Sequence, residues 1–169
     1  MADLNYRLIA LFKMTVPALV TLTLVLLSTV DLHISGIERF VPLIAMISIF
    51  YWCIYWPSLL PAWFVFLLGI FQDFLYGTPL GISSLINLLL FWLVVSQRKY
   101  LIKETFWVVW AVFSFILLIF VLISSVVYSI YYEQFAISND ILMQWMVSVL
   151  VYPFLHKLFN VIHVSFLKV

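Results

Sequence analysis

Apolar residues run along this chain in blocks rather than in alternation. Six blocks stand out, at approximately 15–30, 40–56, 61–76, 80–96, 106–131 and 141–160. A helix needs roughly 20 apolar residues to cross a bilayer, with about 17 as the practical lower end, so the pattern predicts six transmembrane helices. Between them lie polar or turn-forming breaks at 31–39, the Pro57–Leu60 corner, the Gly77–Pro79 turn, 97–105 and 132–140. The third and fourth blocks are short and joined by a tight turn, and a re-entrant hairpin is an open alternative for that pair. The first block follows Arg7 and Lys13, yet no small-x-small cleavage site succeeds it, which predicts a retained first helix rather than a signal peptide.

Charge sets the orientation. Cytoplasmic loops of membrane proteins carry the excess of Lys and Arg. With six crossings and the N-terminus inside, Arg7, Lys13, Arg98, Lys99, Lys103, Lys157 and Lys168 all fall on the cytoplasmic side, and only Arg39 falls outside. The four-crossing variant keeps the same tally, whereas five crossings would strand Lys157 and Lys168 outside. Belts of Tyr51, Trp52, Tyr55, Trp56 and Trp63, and of Trp107 and Trp110, are expected at one interface, with Tyr128, Tyr131 and Tyr132 at the other.

Composition removes the soluble alternatives. Apolar and aromatic residues make up 67% of the 169, and charged residues only 9%, against about a quarter in soluble domains. The whole chain, 1–169, reads as one integral membrane domain of the all-α, polytopic class. No basic run suggests nucleic acid. Cys53 is the single cysteine, so no intrachain disulfide or cysteine-rich metal site can form.

The unusual residues concentrate in one place. Three of the four glycines, Gly69, Gly77 and Gly81, lie within thirteen residues that also hold Asp73. Gly69 and Asp73 are four apart and share a helix face, and small residues let membrane helices approach closely. Thr78 and Pro79 read as the N-cap and first residue of the fourth helix, which makes Gly77-Thr78-Pro79-Leu80-Gly81 a tight outer turn. Gly77 and Gly81 are expected to leave no room for a side chain. Asp73 sits where its own helix dipole disfavours negative charge, and the free N–H groups around Gly81–Ser83 are natural partners for its carboxylate. The residue is therefore expected to fasten the hairpin, with a substrate, proton or metal role as the sharper alternative.

Ser83, Ser84 and Asn87 form a polar stripe on the fourth helix, either for interhelical hydrogen bonds or as one wall of a ligand pocket. Gln144 and Asn160 are further polar positions within the spans. Thr15, Thr21, Thr23 and Ser28 are hydroxyls able to bond back to their own helix. His156 and His163 share a face near the cytoplasmic end, where interfacial solvation is the expected role. No catalytic or phosphate-binding motif is present, and no second acid lies near Asp73 in sequence, so no catalytic residue, metal or cofactor is expected.

The run Gly69-Ile70-Phe71-Gln72-Asp73-Phe74-Leu75-Tyr76-Gly77-Thr78-Pro79-Leu80-Gly81 resembles the signature of the rod shape-determining protein MreD family. Pro42, Tyr51-Trp52, Pro57 and Pro153 match its flanking marks in order, and the resemblance covers essentially the whole chain. One departure is the Pro57–Pro61 corner, which lacks the basic residue relatives often carry. The resemblance implies a non-enzymatic inner-membrane subunit of the bacterial elongation machinery. Its implied partners are MreC, contacted through membrane helices, and RodA, a class B penicillin-binding transpeptidase and MreB within the same assembly. It also implies a fold similar to the substrate-binding subunits of energy-coupling-factor transporters. A small-molecule-binding subunit of that transporter type, with an outward pocket near Ser84 and Asn87, is the competing reading. Such subunits often carry an Ala-x-x-x-Ala face on the first helix, and Ala10 and Ala18 are not so spaced.

Overall fold

The computed structural model describes residues 2–29, 43–132 and 139–167. They form α1 (Ala2–Thr29), α2 (Ile44–Tyr55), α3 (Ala62–Tyr76), α4 (Ile82–Leu101), α5 (Phe106–Tyr132) and α6 (Asn139–Ile162), with no strand among the described residues. A single 3-10 turn, Pro57–Leu59, links α2 to α3, and a π-helical turn, His163–Leu167, follows α6. Two stretches, Phe106–Val127 and Ile141–Ser165, are long and apolar enough to cross a membrane, while Thr15–Ser28, Ile44–Tyr55 and Ala62–Tyr76 are apolar but shorter. Arg39, Pro42 and Lys168 lie outside the described residues, and the side chains of Arg7, Lys13, Tyr128 and residues 131–140 lie outside the described side chains.

The shortest helix is the centre of the bundle. Ten consecutive residues of α2, Ala45 to Ile54, are buried, and α1, α4 and α6 pack around them. A helix that is apolar on every side has no face for solvent and belongs in the interior. This corrects the belt expected at Tyr51 and Trp52. Both are core residues, because the helix that carries them is enclosed. Trp56 and Trp63, after the helix has ended, are exposed.

Neighbouring helices close both ends of α2. At its start, the Leu43 N–H donates to Ser148 Oγ of α6 at 2.9 Å, and that hydroxyl donates to Gln144 O at 2.7 Å. At its end, Arg98 of α4 donates through Nε to Ile54 O at 2.7 Å and through Nη2 to Tyr55 O at 3.3 Å. The last carbonyls of a helix have no partner within it, and a cation there also complements the dipole. The charge expected to mark a loop is thus a helix cap as well.

Helices α5 and α6 are joined by a reciprocal pair of tryptophans. Trp110 Nε1 donates to Val149 O at 3.1 Å, and Trp145 Nε1 donates to Ser114 O at 2.9 Å. Each indole sits four residues before the carbonyl that the other one uses. Val149 is also four residues before Pro153, which has no N–H to offer it. Trp110 therefore supplies the donor that the proline removes. Around this joint, Phe113 stacks on Tyr152 with centroids 4.4 Å apart and meets Phe50 of α2 at 5.0 Å.

His156 sits in an aromatic setting that the sequence did not show. Its half-buried ring lies among those of Tyr51, Tyr55, Phe106 and Tyr152, at centroid distances of 5.0–5.8 Å. His163 packs on Trp56 at 4.9 Å. The hydroxyls of α1 behave as short polar side chains in an apolar helix do: Thr21 and Thr23 each donate to the carbonyl four residues back.

Candidate functional site: the α3–α4 hairpin

Helix α3 ends at Gly77, whose φ of 64° is left-handed, and the Gly77 and Thr78 N–H groups both turn back to Asp73 O. This is the glycine-terminated stop that lets orphan carbonyls be satisfied without continuing the helix. The fourth helix does not start at Pro79, as expected, but at Ile82, with Gly81 as its N-cap at φ 101°. Thr78 is not that cap. Its hydroxyl donates to Asp73 Oδ1 at 2.9 Å.

The physical reason lies in Asp73, which is fully buried at 0% exposure. Its Oδ2 accepts from Gly81 N–H at 2.7 Å, and its Oδ1 accepts from Ser83 N–H at 3.1 Å. The carboxylate thus supplies from α3 the acceptor that an N-cap side chain normally supplies locally. It also answers the positive end of the α4 dipole. With capping done from outside, the residues Thr78–Leu80 are free to serve as the return loop. Leu80 points out of the hairpin and is largely exposed.

The glycines divide the work differently from the sequence expectation. A Cβ at Gly77 or Gly81 would meet nothing within 4 Å. Room is not the constraint there; positive φ is, since L side chains are strained in it. Close approach belongs to Gly69. A Cβ there would lie 2.5 Å from Ser84 N, 2.7 Å from its Oγ, and nearer still to its Cα. Direct backbone contact between α3 and α4 exists only because that side chain is missing.

Below the turn, the stripe on α4 faces α3. Ser84 Oγ donates to Phe66 O at 3.0 Å, and Asn87 Nδ2 donates to Gln72 Oε1 at 2.7 Å. Both Ser84 and Asn87 are buried, and their bonds lie between the two helices rather than along a pocket wall. Ser83 contributes its backbone N–H. Gln72 completes this group. It stands beside Asp73 in the sequence, and only the helix pairing reveals it as the partner of Asn87. The tip is also tied to α1, where Tyr76 Oη and Ser28 Oγ lie 3.3 Å apart.

The side-chain partner of Asp73 is the Thr78 hydroxyl, and among the described residues no three His, Cys, Asp or Glu side chains gather where a metal ion could bind. A cleft of about 340 Å³ lies elsewhere, between α5 and α6, bordered by Trp110, Ser114, Phe115 and Trp145. Its lining is almost wholly apolar, and the two indole N–H groups are already bonded to carbonyls.

The described residues form an all-helical bundle in which two helices are long and apolar enough to cross a membrane. The match of a family model to residues 8–162 is more specific, and the chain belongs to the family of rod shape-determining protein MreD. This is a bacterial membrane family concerned with rod-shape determination and is not a known enzyme family. No curated protein and no solved structure matches the chain. The expected likeness to energy-coupling-factor subunits therefore gains no support from a known structure.

Proposed function

We propose that this chain is a non-enzymatic inner-membrane scaffold of the cell elongation machinery, crossing the bilayer six times with both termini in the cytoplasm. It presents helix faces to MreC and, within the same assembly, works alongside RodA, a class B transpeptidase and MreB. The family match supports this reading, and one structural observation carries it. The polar groups of the hairpin are consumed inside it: Asp73 holds three donors, and Ser84 and Asn87 hold α3. What the bundle offers outward is apolar, as on α5 and α6, and such surfaces associate in lipid through packing. The Lys/Arg asymmetry supports the orientation.

Purification of the tagged chain from mildly solubilised bacterial membranes tests the scaffold role. MreC is expected to co-elute with the wild type and with Leu80→Ala at the exposed tip, and to be lost from Gly69→Leu. Absence of MreC from the wild type would overturn the reading. A reporter fused after Val169 should be active only when it is a cytoplasmic reporter.

A further inference from the structure

Buried polar atoms that lack a partner are rare in folded proteins, and two of them stand one turn apart on α6. Tyr152 is 0% exposed, and its Oη makes no hydrogen bond to another described residue. The enclosed Nδ1 of His156 makes none either. The two side chains are four residues apart and share a helix face, with ring centroids separated by 5.8 Å.

The packing leaves neither group free to turn elsewhere. The Tyr152 hydroxyl is fixed at the end of a rigid ring, which stacks on Phe113 at 4.4 Å and on Phe106 at 6.3 Å. The imidazole of His156 is held by Tyr51, Tyr55 and Phe106 at 5.0–5.8 Å. Its Nδ1 is a donor in one neutral tautomer and an acceptor in the other, so it calls for a partner in both. A buried tyrosine hydroxyl calls for one as well. Tyr51 and Tyr55, with centroids 4.8 Å apart, bring two further phenols to the same ring cluster. An apolar cavity stays dry, whereas a site that offers a water molecule two to four hydrogen bonds holds one. Tyr55 and His156 are half-buried and Lys157 is exposed, so the cluster reaches the surface at the basic end of the bundle.

We propose that Tyr152 and His156 bind ordered water between α2, α5 and α6, in a ring-walled polar pocket that fills from the basic end of the bundle. The ligand is water itself. Tyr152 Oη and His156 Nδ1 are its anchors, and the hydroxyls of Tyr51 and Tyr55 are the further partners. Bonds through water are nearly as favourable as direct ones. The water therefore adds a directional link among three helices whose contacts here are between rings.

Radiolytic footprinting tests this, because hydroxyl radicals formed from bound water by an X-ray pulse oxidise the side chains that touch it. In the full chain in mild detergent, Tyr152 is expected to be oxidised although it is 0% exposed, whereas Phe113, 1% exposed in the same ring stack, is spared. Oxidation of Tyr152 no greater than that of Phe113 would overturn the proposal. So would oxidation of His156 alone, which its half-exposed ring explains without a pocket. A second reading comes from titration with sodium dodecyl sulfate. Tyr152→Phe removes a hydroxyl bonded to water and should lower the folding constant about fivefold, as the loss of one net hydrogen bond does. An unchanged or higher constant, as removal of a dry and unpaired hydroxyl gives, would equally overturn it. The comparison of Tyr152 with Phe113 needs no variant and decides the matter should Tyr152→Phe not fold.

Discussion

Gly69→Ala adds a single methyl group to α3, and the structure sets its cost. That methyl would lie 2.5 Å from Ser84 N and 2.7 Å from Ser84 Oγ, against an ordinary contact distance of about 3.5 Å or more. The obstacle is mainly the backbone of α4, so no rotamer change relieves it, and the two helices must separate by roughly 1 Å. Overpacking of this kind costs about 1–3 kcal/mol. Separation also lengthens the Ser84–Phe66 bond of 3.0 Å and the Asp73–Ser83 bond of 3.1 Å, and a buried group left without its partner costs about 1–3 kcal/mol. A total near 3 kcal/mol corresponds to roughly a hundredfold shift in the folding equilibrium. Unfolding of purified protein by sodium dodecyl sulfate, titrated from mild micelles, measures this. Gly77→Ala is the control, because its Cβ meets nothing and it bears only left-handed strain, about 1–2 kcal/mol. Adding Ser84→Gly to Gly69→Ala should recover only part of the loss, since it removes Oγ but leaves the Ser84 backbone in place. A Gly69→Ala protein as stable as the wild type, or more stable than Gly77→Ala, would refute close helix approach as the role of Gly69.

The Asp73 carboxylate divides three bonds between two oxygens, with two on Oδ1 and one on Oδ2. Asp73→Asn can keep the Oδ1 pair but sets an amide against Gly81 N–H, so it should lose about 1–2 kcal/mol while Asp73→Leu loses more. In complementation of a rod-to-sphere defect at matched protein levels, Asn should retain partial function and Leu should fail; equal failure at normal abundance would show that the charge itself is required. Trp110→Phe should cost about 1 kcal/mol by freeing Val149 O, and Pro153→Ala in the same chain should restore most of it by returning a backbone donor. Additive losses in that double-mutant cycle would dismiss the shared carbonyl. Arg98→Leu should destabilise the bundle more than Lys99→Leu in the same detergent titration, because Arg98 alone of the two caps α2. Equal effects would reduce Arg98 to a loop charge.

Helix existence was legible in the sequence because it depends on local properties. Apolar blocks separated by Pro, Gly and charge specify helices and breaks whatever surrounds them, and Gly69, Asp73, Gly77 and Gly81 stand out against bulky neighbours in the same way. The opposed dipoles of two successive helices even gave Asp73 its partners in advance, since Gly81 and Ser83 are within reach along the chain. What the tertiary structure decided are the relations between distant segments. Tyr51 and Trp52 have the composition of an interfacial belt, and only the enclosure of α2 by α1, α4 and α6 makes them core. Thr78 and Pro79 have the local form of a helix start, but a carboxylate arriving from α3 moved that start to Ile82. The glycines look alike in sequence, yet one answers to contact and two to φ, because contact is set by the facing helix and φ by the turn. Gln72 with Asn87, Trp110 with Val149, and Arg98 with the end of α2 pair residues 15, 39 and 44 apart. Sequence periodicity shows which face of a helix a residue occupies; which carbonyl or ring that face meets is fixed only when the helices pack.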